Sequence, residues 1–342
     1  MIDPAVEATG VRSDLPRLTS LRAFAALAVF GYHCGLYLNW TFGRRAFGTG
    51  YAGVSFFFIL SGFVLAWSTP EGRSPLNFYR RRFARVYPMH LLTALVGLVL
   101  FGAASAWAVV SNVLLIQAWD PRDQVHYSLN GLSWSLSCEA FFYLVCPLAL
   151  ILARTRGRAF AAITVSSVAV SGIVTTALVL HSDRIETGIY TNPAARVGEF
   201  FIGICLAVAL RRGRACTLPF SAAVIFTLLT VEVVRLAFAQ YYPASDFVFI
   251  PAFSLLIWSA ASHDSVARQG WFLTNPVLVY AGKVSFCFYL VHEMVLKEMQ
   301  KHHVSAVAGA AVSLMVATAL AVLSYQVIEH PLELRLRPKA RT

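Results

Sequence analysis

Apolar residues in this chain run in stretches of about twenty, separated by short polar segments rich in arginine. A helix rises 1.5 Å per residue, so about 20 apolar residues cross the roughly 30 Å hydrocarbon layer of a bilayer. The pattern predicts spans near 18–39, 50–68, 86–104, 132–153, 159–180, 194–211, 217–239, 246–262, 276–298 and 304–328. The run 107–118 is apolar but short, and predicts a re-entrant or interfacial segment. The expected fold is all-α: a polytopic membrane protein, a bundle of about ten transmembrane helices. One transmembrane domain over 18–328 is expected to fill the chain, between an N-terminal tail (1–17) and a basic C-terminal tail (329–342). No internal repeat or second domain is expected. The first 17 residues hold no apolar run, so the first run is expected to be a retained span and not a cleaved leader.

Composition excludes the soluble alternative. Of 342 residues, 58% are hydrophobic and 13% charged, against roughly 25% charged in soluble domains. A net charge of +11 would point to nucleic acid in a soluble protein. Here the basic residues sit mainly in loops, so topology explains them and no nucleic-acid partner is expected. Ten spans put both termini on one side. That side collects eighteen Lys and Arg residues, and the opposite loops hold five. Positive charge marks the cytoplasmic face, so both termini are expected inside, in the plasma (inner) membrane. Six scattered cysteines (Cys34, Cys138, Cys146, Cys205, Cys216, Cys287) show neither metal-ligand spacing nor a disulfide framework. They read as small hydrophobes, and no metal is expected.

Ionisable residues inside spans are costly and therefore mark function. His33, Glu139, Glu199 and His292 all fall roughly 8–11 Å below the outer surface by residue count. Two histidines and two carboxylates at one level suggest a polar chamber, or a hydrogen-bond network that only fixes packing. Glu199, three residues after Arg196, reads as a local ion pair. His292 with Glu293 reads as a satisfied polar pair. His33 with Glu139 is the combination suited to a general base near neutral pH. A second cluster precedes the third span: Phe78-Tyr79-Arg80-Arg81-Arg82-Phe83-Ala84-Arg85-Val86-Tyr87-Pro88. Arg82 and Arg85 share a helix face, and guanidinium forks hold phosphates bidentately. Short basic loops also follow from anionic lipid headgroups alone. Arg22 lies eleven residues before His33, about 16 Å along a helix, which is close to the reach of a pantetheine arm.

Six blocks in order resemble the acyltransferase-3 family of membrane acyltransferases. They are Arg22 with His33 after ten intervening residues, Gly53 to Phe63, and Arg82-Phe83-Ala84-Arg85-Val86-Tyr87-Pro88. Trp134 to Tyr143 around Glu139, Gly282 to His292, and Ile328-Glu329-His330-Pro331 complete the set. The resemblance implies transfer of an acyl group, usually acetyl, from acyl-CoA to a hydroxyl on a carbohydrate or other glycosylated acceptor. By position it implies His33 as the catalytic histidine and Arg22, Arg82 and Arg85 as donor-binding residues. Glu139 matches its acidic position, and Glu329 a terminal element of structural role. The chain resembles the stand-alone members, without an extracytoplasmic hydrolase-like domain.

The expected mechanism has coenzyme A phosphates on Arg82 and Arg85, helped by Arg22, with His33 oriented by Glu139 as general base. A covalent acyl-histidine relay is the variant. Tyr37, Trp40, Trp134 and Tyr143 are candidates for stacking on a sugar. The alternative function is a proton-coupled membrane transporter of a small solute, which in-span ionisable residues also describe.

Overall fold

The structure, a computed structural model, describes residues 15–181, 190–238, 241–242, 244–265 and 272–336. The tails to residue 14 and from 337 lie outside the described residues, as do Arg184 and Arg268. The helices run in order α1 (Pro16–Tyr37), α2 (Thr41–Phe47), α3 (Gly53–Ser68), α4 (Pro75–Phe101), α5 (Ala106–Val113), α6 (Asp123–His126) and α7 (Trp134–Thr155). There follow α8 (Gly157–His181), α9 (Pro193–Arg211), α10 (Phe220–Val233), α11 (Phe249–Ser265), α12 (Pro276–Lys301), α13 (Ala306–Ser324) and α14 (His330–Leu336). Among the described residues there is no strand. Nine helical stretches among the described residues are long and apolar enough to cross a membrane. The remaining helix of that length is α1, whose 22 residues include Arg17, Arg22 and His33. The protein is an all-α, polytopic membrane protein.

Helix starts follow local chemistry. Asn192 accepts from the amides of Ala194 and Ala195 ahead of Pro193, and Asn275 accepts from Val277 N ahead of Pro276. Each pairs an N-cap with a proline whose missing N–H costs nothing in the first turn. The third span begins earlier than expected. Helix α4 starts at Pro75, not near 86, so Arg80, Arg81, Arg82 and Arg85 stand on helix turns and not in a loop. Arginine is a good helix former and nothing between 75 and 86 breaks the helix. Hydropathy hid this start. The helical path past α13 continues through Glu329 to Leu336.

Backbone-to-backbone crossings draw the inner helices together. At Gly203 on α9 a Cβ would fall 1.9 Å from the Ile59 carbonyl oxygen of α3. At Gly282 on α12 it would fall 1.8 Å from the Thr19 carbonyl oxygen of α1. Small residues permit such approach where helices pack within lipid. The α1–α12 crossing matters most, because it brings the two helices bearing His33 and His292 side by side. Phe58, Phe142 and Phe200 link α3, α7 and α9 in the core, with ring centroids 5.0 and 5.1 Å apart.

The segment 106–133 is built of short elements. Helix α5 has 8 residues, too few to cross a bilayer. Its buried Asn112 donates to Ser128 O (2.8 Å) and Ser133 Oγ (3.0 Å), and Gln117 donates to Ser133 O (3.0 Å). These bonds tie the segment onto the start of α7.

Candidate active site

Four of the five expected site residues line one cavity. Arg22 from α1, Arg82 and Arg85 from α4, and Glu139 from α7 face a space of about 140 Å³. Phe57, Phe58, Phe286 and Tyr289 supply its apolar and aromatic walls. A second space of about 270 Å³ shares Val64, Leu65, Arg82 and Arg85 with the first and adds Arg73 and Arg81. Three guanidiniums around one carboxylate leave the inner space positive. Arg85 is further held by Glu329, whose Oε1 lies 3.8 Å from Arg85 Nη2. Glu329 is buried and also accepts from the Cys287 thiol at 3.2 Å. Among the described contacts, neither Arg22 nor Arg82 has an ion pair or hydrogen bond of its own.

Glu139 belongs to this arginine cluster. Tyr143, one turn further along α7, donates to its carboxylate, and Arg85, Arg22 and Arg82 all act on it electrostatically. Among the described contacts, the expected pairing with His33 is not formed. The arginines stand farther along α4 than a loop placement allowed, and so reach the level of Glu139. Tyr143, expected as a sugar platform, lines the cavity as well. Trp134 is buried against Phe58 and Tyr190, unavailable for stacking on a ligand.

His33 sits on the same face of α1 as Arg22, since eleven residues make about three turns. Its Nδ1 lies 3.1 Å from Nε2 of His292 on α12. Tyr37, one turn on, stacks on the His33 ring at 6.0 Å and donates to Glu293. Lys297 Nζ lies 3.1 Å from Glu293 Oε1. His292 therefore partners His33, while Glu293 pairs with Tyr37 and Lys297. Tyr289 joins the two regions: it lines the cavity, and its ring centroid lies 5.9 Å from that of His292.

The remaining in-span group forms a third cluster. Arg196 pairs with Glu199 at 3.2 Å, the local ion pair the spacing predicts, and with Asp246 at 2.5 Å. Ser55 donates to Asp246 at 2.6 Å. The supposed single chamber is thus three separate clusters. Residue count along a helix does not show which neighbouring helix a side chain meets. Sequence reasoning gave Tyr289 and Lys297 no role at these sites, and Tyr143 only that of stacking on a sugar. Their spacing to Glu139, His292 and Glu293, three or four residues, was the available signal.

The arrangement defines a membrane-embedded site with a cationic cavity beside an imidazole pair. The profile of the acyltransferase domain matches residues 15–326. The chain belongs to this acyltransferase-3 family of membrane acyltransferases. The acyltransferase MdmB of Streptomyces mycarofaciens is 34% identical, over 93% of this chain and 91% of its own length. YrhL of Bacillus subtilis, provisionally named a peptidoglycan O-acetyltransferase, is 25% identical over 93% of this chain. The O-acetyltransferase OatA of Staphylococcus aureus is 23% identical over 93% of the chain. The chain spans 55% and 57% of the lengths of these last two relatives. No solved structure matches it significantly. Membership in an acyltransferase family replaces the transporter alternative.

Proposed function

We propose that this membrane acyltransferase moves an acyl group, most simply acetyl, from acyl-CoA to a hydroxyl of a carbohydrate or glycosylated acceptor. The observation that carries the reading is the shared placement of Arg22, Arg82 and Arg85 on one cavity, with Arg22 on the helix that also bears His33. Guanidinium forks suit the phosphates of coenzyme A. The aromatic walls suit its uncharged arm, and about 16 Å along α1 separates the cationic end from the imidazole. The names of YrhL and OatA, which specify O-acetyl transfer, support acetyl and a glycan hydroxyl.

In this mechanism Arg22, Arg82 and Arg85 hold the donor, and Glu139 on the same wall spaces the guanidiniums and contacts the donor. His33 is the general base. The acceptor oxygen bonds to the thioester carbonyl carbon as its proton passes to His33 Nε2. The carbon–sulfur bond breaks, and the thiolate takes that proton to leave as free coenzyme A. Orientation with both termini in the cytoplasm, at the plasma membrane, opens the arginine-lined space toward the compartment that supplies acyl-CoA. The loop charge bias supports this orientation.

Titration of the purified protein with coenzyme A tests the donor half. Binding that is weakened roughly 10- to 100-fold in Arg82→Gln and reduced by salt supports the reading. Equal binding by wild type and Arg82→Gln contradicts it.

A further inference from the structure

We infer that His292 is a positioning residue that fixes the tautomer of His33, holding its proton on Nδ1 and its lone pair on Nε2. The inference rests on the reading of His33 as the base. It begins at a carbonyl group, which can only accept. His292 Nδ1 lies 3.1 Å from the Phe288 carbonyl oxygen, so Nδ1 carries the hydrogen. The His292 ring has no exposed surface and is boxed by Phe30, Phe288 and Tyr289 at 5.9, 5.5 and 5.9 Å. No carboxylate is among its described partners, so a second proton would bury an uncompensated cation. A neutral ring protonated at Nδ1 presents a lone pair at Nε2. That atom faces His33 Nδ1 at 3.1 Å, which must therefore donate.

The ordered chain is Phe288 carbonyl, His292, His33. At its end His33 Nε2 is unprotonated, the form that takes a proton from a hydroxyl. A neutral imidazole here does what a buried carboxylate does for histidine in hydrolytic triads: it selects the tautomer and aims the ring. The packing of α12 along α1, close enough at Gly282 and Thr19 for backbone to meet backbone, carries both rings.

Two amides of the same chemistry separate this role from packing. In His292→Gln the side-chain amide reaches the Nε2 position and can accept from His33. In His292→Asn it reaches only the Nδ1 position and can bond the Phe288 carbonyl but not His33. The test measures coenzyme A release from acetyl-CoA with a panel of methyl glycosides as acceptors, in full-length protein in detergent. Nitrogen NMR of ¹⁵N-histidine-labelled protein, with His33→Asn to assign the signal, reads the tautomer directly.

The inference predicts that His292→Asn lowers kcat on the order of 10²-fold, leaves the KM for acetyl-CoA unchanged and shifts the His33 hydrogen toward Nε2. His292→Gln is predicted to stay within about tenfold of wild type, with the hydrogen still on Nδ1. Equal activity of the Asn and Gln variants, or a wild-type His33 protonated at Nε2, overturns it. His33→Ala separates the failures. If that variant keeps full activity, the base assignment itself falls. If it is inert while His292→Asn matches wild type, only the positioning role falls.

Discussion

Arg85 on α4 and Glu329, just before α14, stand 3.8 Å apart and tie α4 to the last helical stretch beside the donor cavity. Glu329 is nearly inaccessible, and Arg85 keeps part of its guanidinium turned to the open space. The carboxylate holds the arginine in place while leaving donors free for a ligand. Removing it leaves a partly buried cation without its partner. Glu329→Gln is expected to cost about 1–3 kcal/mol of stability and to weaken coenzyme A binding. Arg85→Ala strands the buried carboxylate instead, so the double variant should be less destabilised than the two single costs combined. Thermal melts of the four proteins measure this coupling, and additive losses would count against it.

Arg82 has no ion pair among the described contacts, so its charge is available to an anion. Hydrogen bonds to charged groups contribute about 1.5–3 kcal/mol, so Arg82→Gln should weaken coenzyme A binding roughly 10- to 100-fold. Arg82→Lys should recover only part of that loss, because an ammonium lacks the planar fork. Calorimetric titrations of both variants supply the comparison.

At Gly282 a side chain would meet backbone, which cannot move aside as a flexible side chain can. Gly282→Ala is expected to destabilise by at least about 1–3 kcal/mol and to lower kcat by parting His33 from His292. Gly102, whose φ of 73° ends α4 and where a Cβ meets open space, offers a contrast. Gly102→Ala carries only the local backbone penalty of a conformation that glycine alone adopts readily, about 1–3 kcal/mol, and should leave kcat unchanged. Melting temperature and turnover of the two variants check the contrast.

Arg196 is buried between Glu199 and Asp246, and its guanidinium also lies over the Tyr190 ring at 4.7 Å. Arg196→Met strands two carboxylates, with an expected cost of about 3–5 kcal/mol. This cluster lines neither donor space, so detergent-solubilised yield and melting temperature should fall while donor affinity of the folded fraction holds. A selective loss of coenzyme A binding in a stable Arg196→Met protein would contradict that separation.

The span pattern was legible because lipid demands uninterrupted apolar length, and the apolar runs near 50–68, 132–153 and 276–298 became helices with little adjustment. The start of α4 was not, since a hydropathy pattern places arginines outside a span while helix propensity lets them continue it. The cationic trio of Arg22, Arg82 and Arg85 was legible through family blocks and spacing. The partner of His33 was not. Residue count puts Glu139 and His292 at one depth, whereas the packing of α12 along α1 brings His292 to His33 and Glu139 stands with the arginines.

The most direct test of the central claim is release of free coenzyme A from labelled acetyl-CoA by the purified protein with a glycan acceptor pool, beside His33→Ala and Arg85→Ala. The account predicts that wild type turns over, that His33→Ala binds the donor but is inert, and that Arg85→Ala fails to bind it. A wild-type protein that neither binds nor consumes acyl-CoA of any chain length would contradict it.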